Sequence, residues 1–158
     1  ISATLTGSVL TTFEDALLAY GALIAYIPML MDTGGNAGGQ ASVTIIRGLS
    51  LNEIEFGDAF KVVFKEVRVA CLCGITLAAA NFLKLLLLDK VGIMVALVVC
   101  LTLVAAVIIA KLVGCTLPML AKKIGFDPAV MASPFITTIV DVLSLLVYFQ
   151  IATHLLHI

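Results

Sequence analysis

Residues 91 to 112 carry no charge except Lys111, and a run of that kind leaves a chain few ways to fold. About 20 apolar residues cross the hydrocarbon core of a bilayer as a helix. Several such runs follow one another here. Of the 158 residues, 62% are hydrophobic and 12% are charged, against about 45–50% and about 25% in a soluble domain. A soluble protein of this size has no interior large enough for that much apolar surface, so the excess faces lipid. The expected fold is an all-α integral membrane domain occupying residues 1–158.

Five spans are read from the runs. The first covers Thr6 to Met31, with Glu14 and Asp15 in its opening turns. The second starts near Gly34 and reaches about Leu49; Asn36, Gln40 and Ser42 make it poor in hydropathy. The third is Val67 to Leu88, the fourth Val91 to Leu112, the fifth Pro128 to His154. Between spans two and three, Leu51, Ile54, Ala59, Phe60, Val63, Phe64 and Val67 recur at helical spacing, with most charges elsewhere. That pattern predicts an amphipathic helix lying on the membrane surface.

Basic residues set orientation. Arg47, Lys61, Lys65 and Arg68 fall between spans two and three, and Lys111, Lys122 and Lys123 between four and five. The opposite side has Lys84 and Lys90. Positive-inside counting puts the N-terminus in the cytoplasm of a multi-pass plasma (inner) membrane protein, with His154 and His157 outside as interfacial residues. A net charge of −1 gives nucleic acid no basic face to bind. Cys71, Cys73, Cys100 and Cys115 sit in or beside apolar runs and read as small apolar residues, not as a disulfide framework or a zinc site. The chain opens on Ile1 rather than Met and reads as a fragment or processed product, with no recognisable signal peptide.

The fifth span carries the chemistry. Asp141 lies 13 residues after Pro128 (141 − 128), near the midplane of that span. An Asp there costs about 2.5–3.5 kcal/mol on insertion scales, so such residues face a pore, a partner or water. Ser133, Thr137, Asp141, Ser144 and Tyr148 recur at helical spacing as one polar stripe, flanked by Thr138. Pro134 has no N–H, which frees the carbonyl of Val130. Carboxylate, hydroxyls and a free carbonyl are hard oxygen donors, suited to Mg²⁺ or Ca²⁺ rather than Zn²⁺ or Cu⁺. The competing reading makes Asp141 interhelical glue, protonated or hydrogen-bonded to Thr137.

The segment Met31-Asp32-Thr33-Gly34-Gly35-Asn36-Ala37-Gly38-Gly39-Gln40 holds two G-x-x-x-G pairs, Gly34 with Gly38 and Gly35 with Gly39. Such faces bring helix backbones close, within a chain or across a dimer. Asn36 and Gln40, four residues apart, point the same way and reach either a neighbouring helix or a hydrated ion. The glycines are not a Walker loop, because no G-K-[ST] follows. Asp32-Thr33-Gly34 matches the D-T-G of aspartic proteases, but that chemistry needs two aspartates sharing a proton. Asp32 is expected at a membrane surface, away from Asp141. Glu14, Asp15 and Asp32 read either as further cation sites or as solvated acids.

With these residues in view, the sequence resembles the transmembrane domain of the MgtE family of Mg²⁺ channels and transporters. The likeness covers essentially the whole chain. It is carried by Phe13-Glu14-Asp15, Pro28, the string Asp32 to Gln40, Arg47, Asp127-Pro128, Pro134, Thr138 and Asp141. The resemblance implies a homodimer of five-helix subunits with a pore on the dimer axis, lined by spans two and five. Asp141 matches the pore aspartate that attracts Mg²⁺, and Ser133 and Thr137 match ion-facing positions one and two turns earlier. Some members carry Asn at the position of Ser133 and Ala at that of Thr137. The family's cytosolic Mg²⁺-sensing domains, CBS modules included, would precede this chain, so the expected gating by cytosolic Mg²⁺ is weak here.

The reading that follows is a Mg²⁺-conducting domain without covalent chemistry, with Asp141, Ser133, Thr137, Asn36 and Gln40 around the ion. A two-fold axis beside span five would bring two copies of Asp141 together, and ion and proton would compete for them. Alternatives are a proton-coupled divalent-cation transporter and a non-conducting membrane anchor or dimerisation module. Channel or exchanger mechanism, and passage of Mn²⁺, Co²⁺, Ni²⁺ or Ca²⁺, are left open by the residues.

Overall fold

The computed structural model describes residues 2–14, 21–131 and 134–157. Among these residues the secondary structure is helical, without a strand. The α-helices are α1 (Ser2–Thr12), α2 (Ile27–Ser50), α3 (Ala59–Leu87), α4 (Ile93–Lys123) and α5 (Pro134–Leu156); short 3₁₀ segments cover Gly21–Tyr26, Phe56–Asp58 and Pro128–Met131. Helices α3, α4 and α5 are long and apolar enough to cross a membrane. Helix α2 has 24 residues, about 36 Å at 1.5 Å per residue. Its glycines and amides keep its hydropathy below that of the other three.

Several expected boundaries move. The glycine segment does not open a helix: α2 begins at Ile27, takes Pro28 into its first turn, and runs through the glycines without a break. The fixed φ of proline suits a first helical turn, where its missing N–H costs nothing. The first span therefore cannot extend to Met31. The amphipathic surface helix is also absent as a separate element, because Ala59–Leu87 is one continuous helix. The inner face of its first turns is set by α4 and the end of α2. Ile54, Ala59, Val62 and Val63 pack towards Leu49 and Met119, while Phe60 is 82% exposed and Phe64 57%. Lys111, expected in a connecting loop, lies inside α4. Its Nζ is 3.0 Å from Glu66 Oε2 of α3, and both side chains are nearly buried.

Helix α4 is the central element and packs on α2, α3 and α5. Of its most apolar stretch 56% is buried, against 17% for α3; the outward leucines of α3, such as Leu72, Leu83 and Leu87, are left for lipid. Contacts fix the directions. Gly34 meets Ala106 and Gly38 meets Ala110, so α2 and α4 run parallel. Gly74 meets Val104 and Lys111 meets Glu66, so α3 runs antiparallel to α4. Helix α5 runs antiparallel to α2, since Gly34 meets Ser144 and Gly38 meets Ile136. At one end Leu23, Leu30, Val99, Leu103, Tyr148 and Phe149 form the larger core. Here Phe13 stacks on Phe149 with centroids 4.9 Å apart, and the buried Tyr148 hydroxyl donates to Leu23 O at 3.0 Å.

The helix ends explain how the bundle closes. Helix α4 stops with Lys122 and Lys123 in its last turn, favourable at the negative end of the helix dipole. Gly125 follows at φ +82, and Phe126 N–H donates to Ala121 O while Gly125 N–H donates to Lys122 O, a Schellman closure. Helix α2 ends similarly, with Asn52 at φ 55 and Glu53 N–H donating to Gly48 O. The Leu49 carbonyl takes Lys122 Nζ at 2.9 Å, so the C-termini of α2 and α4 are tied together. At the opposite end Asp89 Oδ2 accepts from Lys84 at 2.9 Å and from the Tyr26 hydroxyl at 3.3 Å. Arg47, Lys61, Lys65, Lys122 and Lys123 thus gather at one end of the bundle, and Lys84 and Lys90 at the other.

Candidate functional site

The site begins with the two faces of α2. Gly34 and Gly38 turn inward. A Cβ on Gly34 would stand 3.0 Å from Val140 Cγ1 and 3.2 Å from Ser144 Oγ; one on Gly38 would stand 3.1 Å from Ala110 O. This glycine pair is spent on packing α2 against α4 and α5 of the same chain. The second pair faces elsewhere. A Cβ on Gly35 would lie 3.4 Å from Thr137 Cγ2 and 4.0 Å from Asp141 Oδ1, and a Cβ on Gly39 would meet nothing within 4 Å.

Gly35 and Gly39 form the floor of an open groove of about 650 Å³ between α2 and α5. Asn36, Gln40 and Thr44 line it from α2, and Thr137 from α5. Asn36 and Gln40 are exposed, while Thr137 and Asp141 are half-buried. Asp141 does not itself line the groove; it stands next to it, one turn after Thr137 on α5 and beside Gly35. Its carboxylate makes no ion pair or hydrogen bond among the described residues. Glycine at 35 is what permits this: a larger side chain would occupy the space between α2 and the carboxylate. The hydroxyls of Thr137 and Thr138 both donate to Pro134 O, at 3.2 and 2.8 Å, which knits the first turn of α5.

Four of the five candidate ion-facing residues, Asn36, Gln40, Thr137 and Asp141, are therefore brought together on one flank of α2 and α5. Ser133, the fifth, lies outside the described residues, as does Asp15. Two expectations about α5 need correction. The helix starts at Pro134, not Pro128, so this proline initiates it rather than interrupting it, and Val130 belongs to the preceding 3₁₀ segment. The polar stripe also does not share one surface. Ser144 and Tyr148 are fully buried, because the C-terminal half of that face packs under Leu23 and against Gly34. Asp141 and Thr137 remain open because glycine, not a larger residue, faces them.

Val43 and Thr44 also line the groove and were not singled out from the sequence. The signal was present for Thr44, which continues the four-residue step from Asn36 and Gln40. Among the described residues the arrangement presents one carboxylate, hydroxyls and amide oxygens, without thiol or imidazole. It is a donor set for a hard cation that keeps much of its water.

The sequence pattern of the MgtE family, described as a divalent cation transporter, matches residues 27–151. The magnesium transporter MgtE of Thermus thermophilus is 39% identical over 157 residues, covering 96% of this chain and 33% of its own length. The magnesium transporter MgtE of Bacillus subtilis is 33% identical over 157 residues, covering 97% of this chain and 34% of its own length. That of Enterococcus faecalis is 31% identical over 151 residues, covering 94% and 32%. The chain spans about a third of the length of these relatives, which are named as transport proteins and not as enzymes. On the match to its helical core, this transmembrane chain belongs to the MgtE family of divalent cation transporters.

Proposed function

We propose that this chain conducts Mg²⁺ across the membrane, through a pore formed where α2 and α5 of two copies face each other across a dimer axis. The observation that carries the reading is the Asp141 carboxylate, held beside Gly35 and Thr137 with no hydrogen bond or ion pair among the described residues. An Asp so placed in an apolar helix is costly, by about 2.5–3.5 kcal/mol on insertion scales, unless water or a cation meets it. Asp141 from each copy selects for a divalent cation. Asn36, Gln40, Thr137 and Ser133 hold the water shell of the ion. The open side of the groove supports the dimer, since a half-channel needs a second copy to enclose it.

The gathering of Arg47, Lys61, Lys65, Lys122 and Lys123 at one end supports a cytoplasmic position for that end. The N-terminus is then cytoplasmic and the C-terminus extracytoplasmic, in the plasma membrane. The longer relatives leave room for N-terminal Mg²⁺-sensing domains in the full protein. A negative interior drives the ion inward, by about 2.3 kcal/mol per charge per 100 mV. Mg²⁺ flux into liposomes, wild type beside Asp141→Asn, tests the reading. Flux in wild type and none in a folded Asp141→Asn supports it; equal flux in both overturns it.

A further inference from the structure

Beyond the end where Leu49 meets Ala59, Val62 and Val63, helices α2 and α3 are held apart, because each packs on α4. The gap between them is a crevice of about 340 Å³, which flanks the α5 groove across the ridge formed by Asn36 and Gln40. Asp32, Thr33, Asn36 and Gln40 line it from α2, and Lys111 lines it from α4. Asp32, Asn36 and Gln40 follow one another at four-residue steps and so form one stripe of oxygen donors along the helix. The wall supplied by α3, with Val69 and Cys73, offers no competing charge.

The electrostatics favour a cation. Lys111 Nζ is held 3.0 Å from Glu66 Oε2, with both side chains only 12–13% exposed, so that pair is neutral as a unit. Asp32 is exposed and makes no ion pair or hydrogen bond among the described residues. With Lys111 neutralised by Glu66, which stands outside the crevice lining, Asp32 is left as the uncompensated charge among the described lining residues, next to a hydroxyl and two amides. Polar groups at membrane depth are tolerated where they line a wet cavity, and water in the crevice would let a cation arrive with its hydration shell.

We propose that this crevice is a second cation site, separate from the α2–α5 groove, which takes a hydrated divalent cation on Asp32. One carboxylate with neutral oxygen donors suits Mg²⁺, which dehydrates reluctantly and is usually held through one or two carboxylates. That the ion is Mg²⁺ rests on the function proposed above; the existence of the site does not. Asn36 and Gln40 line both cavities, so an ion on Asp32 stands next to the groove, across the ridge of those two amides. The crevice then serves as a loading site beside the pore.

Cys73 is an exposed native reporter in the α3 wall, whereas Cys100 and Cys115 are buried. The test is the rate at which a small cationic methanethiosulfonate modifies Cys73 in the protein reconstituted in liposomes, with and without Mg²⁺, read by mass spectrometry. At a Mg²⁺ concentration ten times the dissociation constant, simple occupancy slows the reaction about tenfold. Asp32→Asn should abolish the protection, Asp32→Glu should retain it, and Asp141→Asn should leave it intact. New labelling of Cys100 or Cys115 would mark a misfolded variant, and the wild-type comparison then decides. No Mg²⁺ protection of Cys73 in wild type overturns the site. So does protection that survives Asp32→Asn, or that disappears with Asp141→Asn, since the ion would then belong to the groove. Protection of Cys73 in a protein that carries no Mg²⁺ flux would keep this site and remove the transport reading instead.

Discussion

The carbonyl oxygen of Gly38 in α2 lies against Gly114 in α4, so close that a Cβ on residue 114 would overlap it and stand 3.0 Å from Ala41 Cβ. Backbone meets backbone here, and neither helix has a flexible side chain that could move aside. Pro118 stands one turn further along α4 and cannot donate to the Gly114 carbonyl. Gly114→Ala should therefore separate α2 from α4. Overpacking costs about 1–3 kcal/mol, more than the roughly 1 kcal/mol that alanine gains over glycine in a helix. The expected result is a lower unfolding temperature in detergent; an unchanged or higher one would show that the helices move apart freely.

Glu66 and Lys111 hold α3 to α4 at 3.0 Å, with their side chains 13% and 12% exposed. Removing one partner of such a pair leaves the other charge unpaired in a poorly hydrated place, at a cost of about 3–5 kcal/mol. Glu66→Gln and Lys111→Met should each destabilise the bundle strongly. The double variant Glu66→Leu with Lys111→Met should recover most of the loss, because it leaves no lone charge. A double-mutant cycle on thermal unfolding measures the coupling; additive losses would mean that the pair is solvated and weak.

The chemistry of the site was more legible in the sequence than the limits of its helices. Asp141 and Thr137 on one helix and Asn36 and Gln40 on another stand out because polar groups are rare in apolar runs and their spacing is regular. Pro128 and Pro134 are both acceptable helix starts, and hydropathy has no means of choosing between them. Lys111 looked like the end of a span because a charge counts against a membrane helix, whereas Glu66, 45 residues earlier, neutralises it. Ser144 and Tyr148 share the angular position of Asp141, yet only tertiary packing decides that their half of the face is covered. The two glycine pairs are alike in pattern, and nothing local distinguishes the pair that packs from the pair that opens.

Tyr148 is fully buried and its hydroxyl donates to Leu23 O at 3.0 Å. That bond ties α5 to the 3₁₀ segment before α2. Tyr148→Phe keeps the ring and its packing on Phe149 but leaves the Leu23 carbonyl without this donor. An unsatisfied buried acceptor costs about 1–3 kcal/mol. The expected loss of stability should come with faster hydrogen exchange at residues 21–26. Equal exchange in the two proteins would mean that water replaces the hydroxyl.

The same substitution at neighbouring glycines of α2 should separate packing from conduction. At Gly38 a methyl group meets Ala110 O at 3.1 Å, Ile136 at 3.2 Å and Val140 at 3.3 Å, so Gly38→Ala should destabilise by about 1–3 kcal/mol through overpacking. At Gly39 there is nothing within 4 Å, and alanine gains up to about 1 kcal/mol of helix propensity. Gly39→Ala should fold as well as wild type or better, while its methyl group enters the groove beside Asn36 and Gln40. At Gly35 the new methyl group sits at ordinary contact distance from Thr137 and 4.0 Å from Asp141 Oδ1, where it displaces water from the carboxylate rather than moving a helix. Gly35→Ala and Gly39→Ala should thus lower Mg²⁺ flux into liposomes without lowering the unfolding temperature. If both variants conduct as wild type does, the groove is not the path of the ion, and Asp141 must meet it from another side.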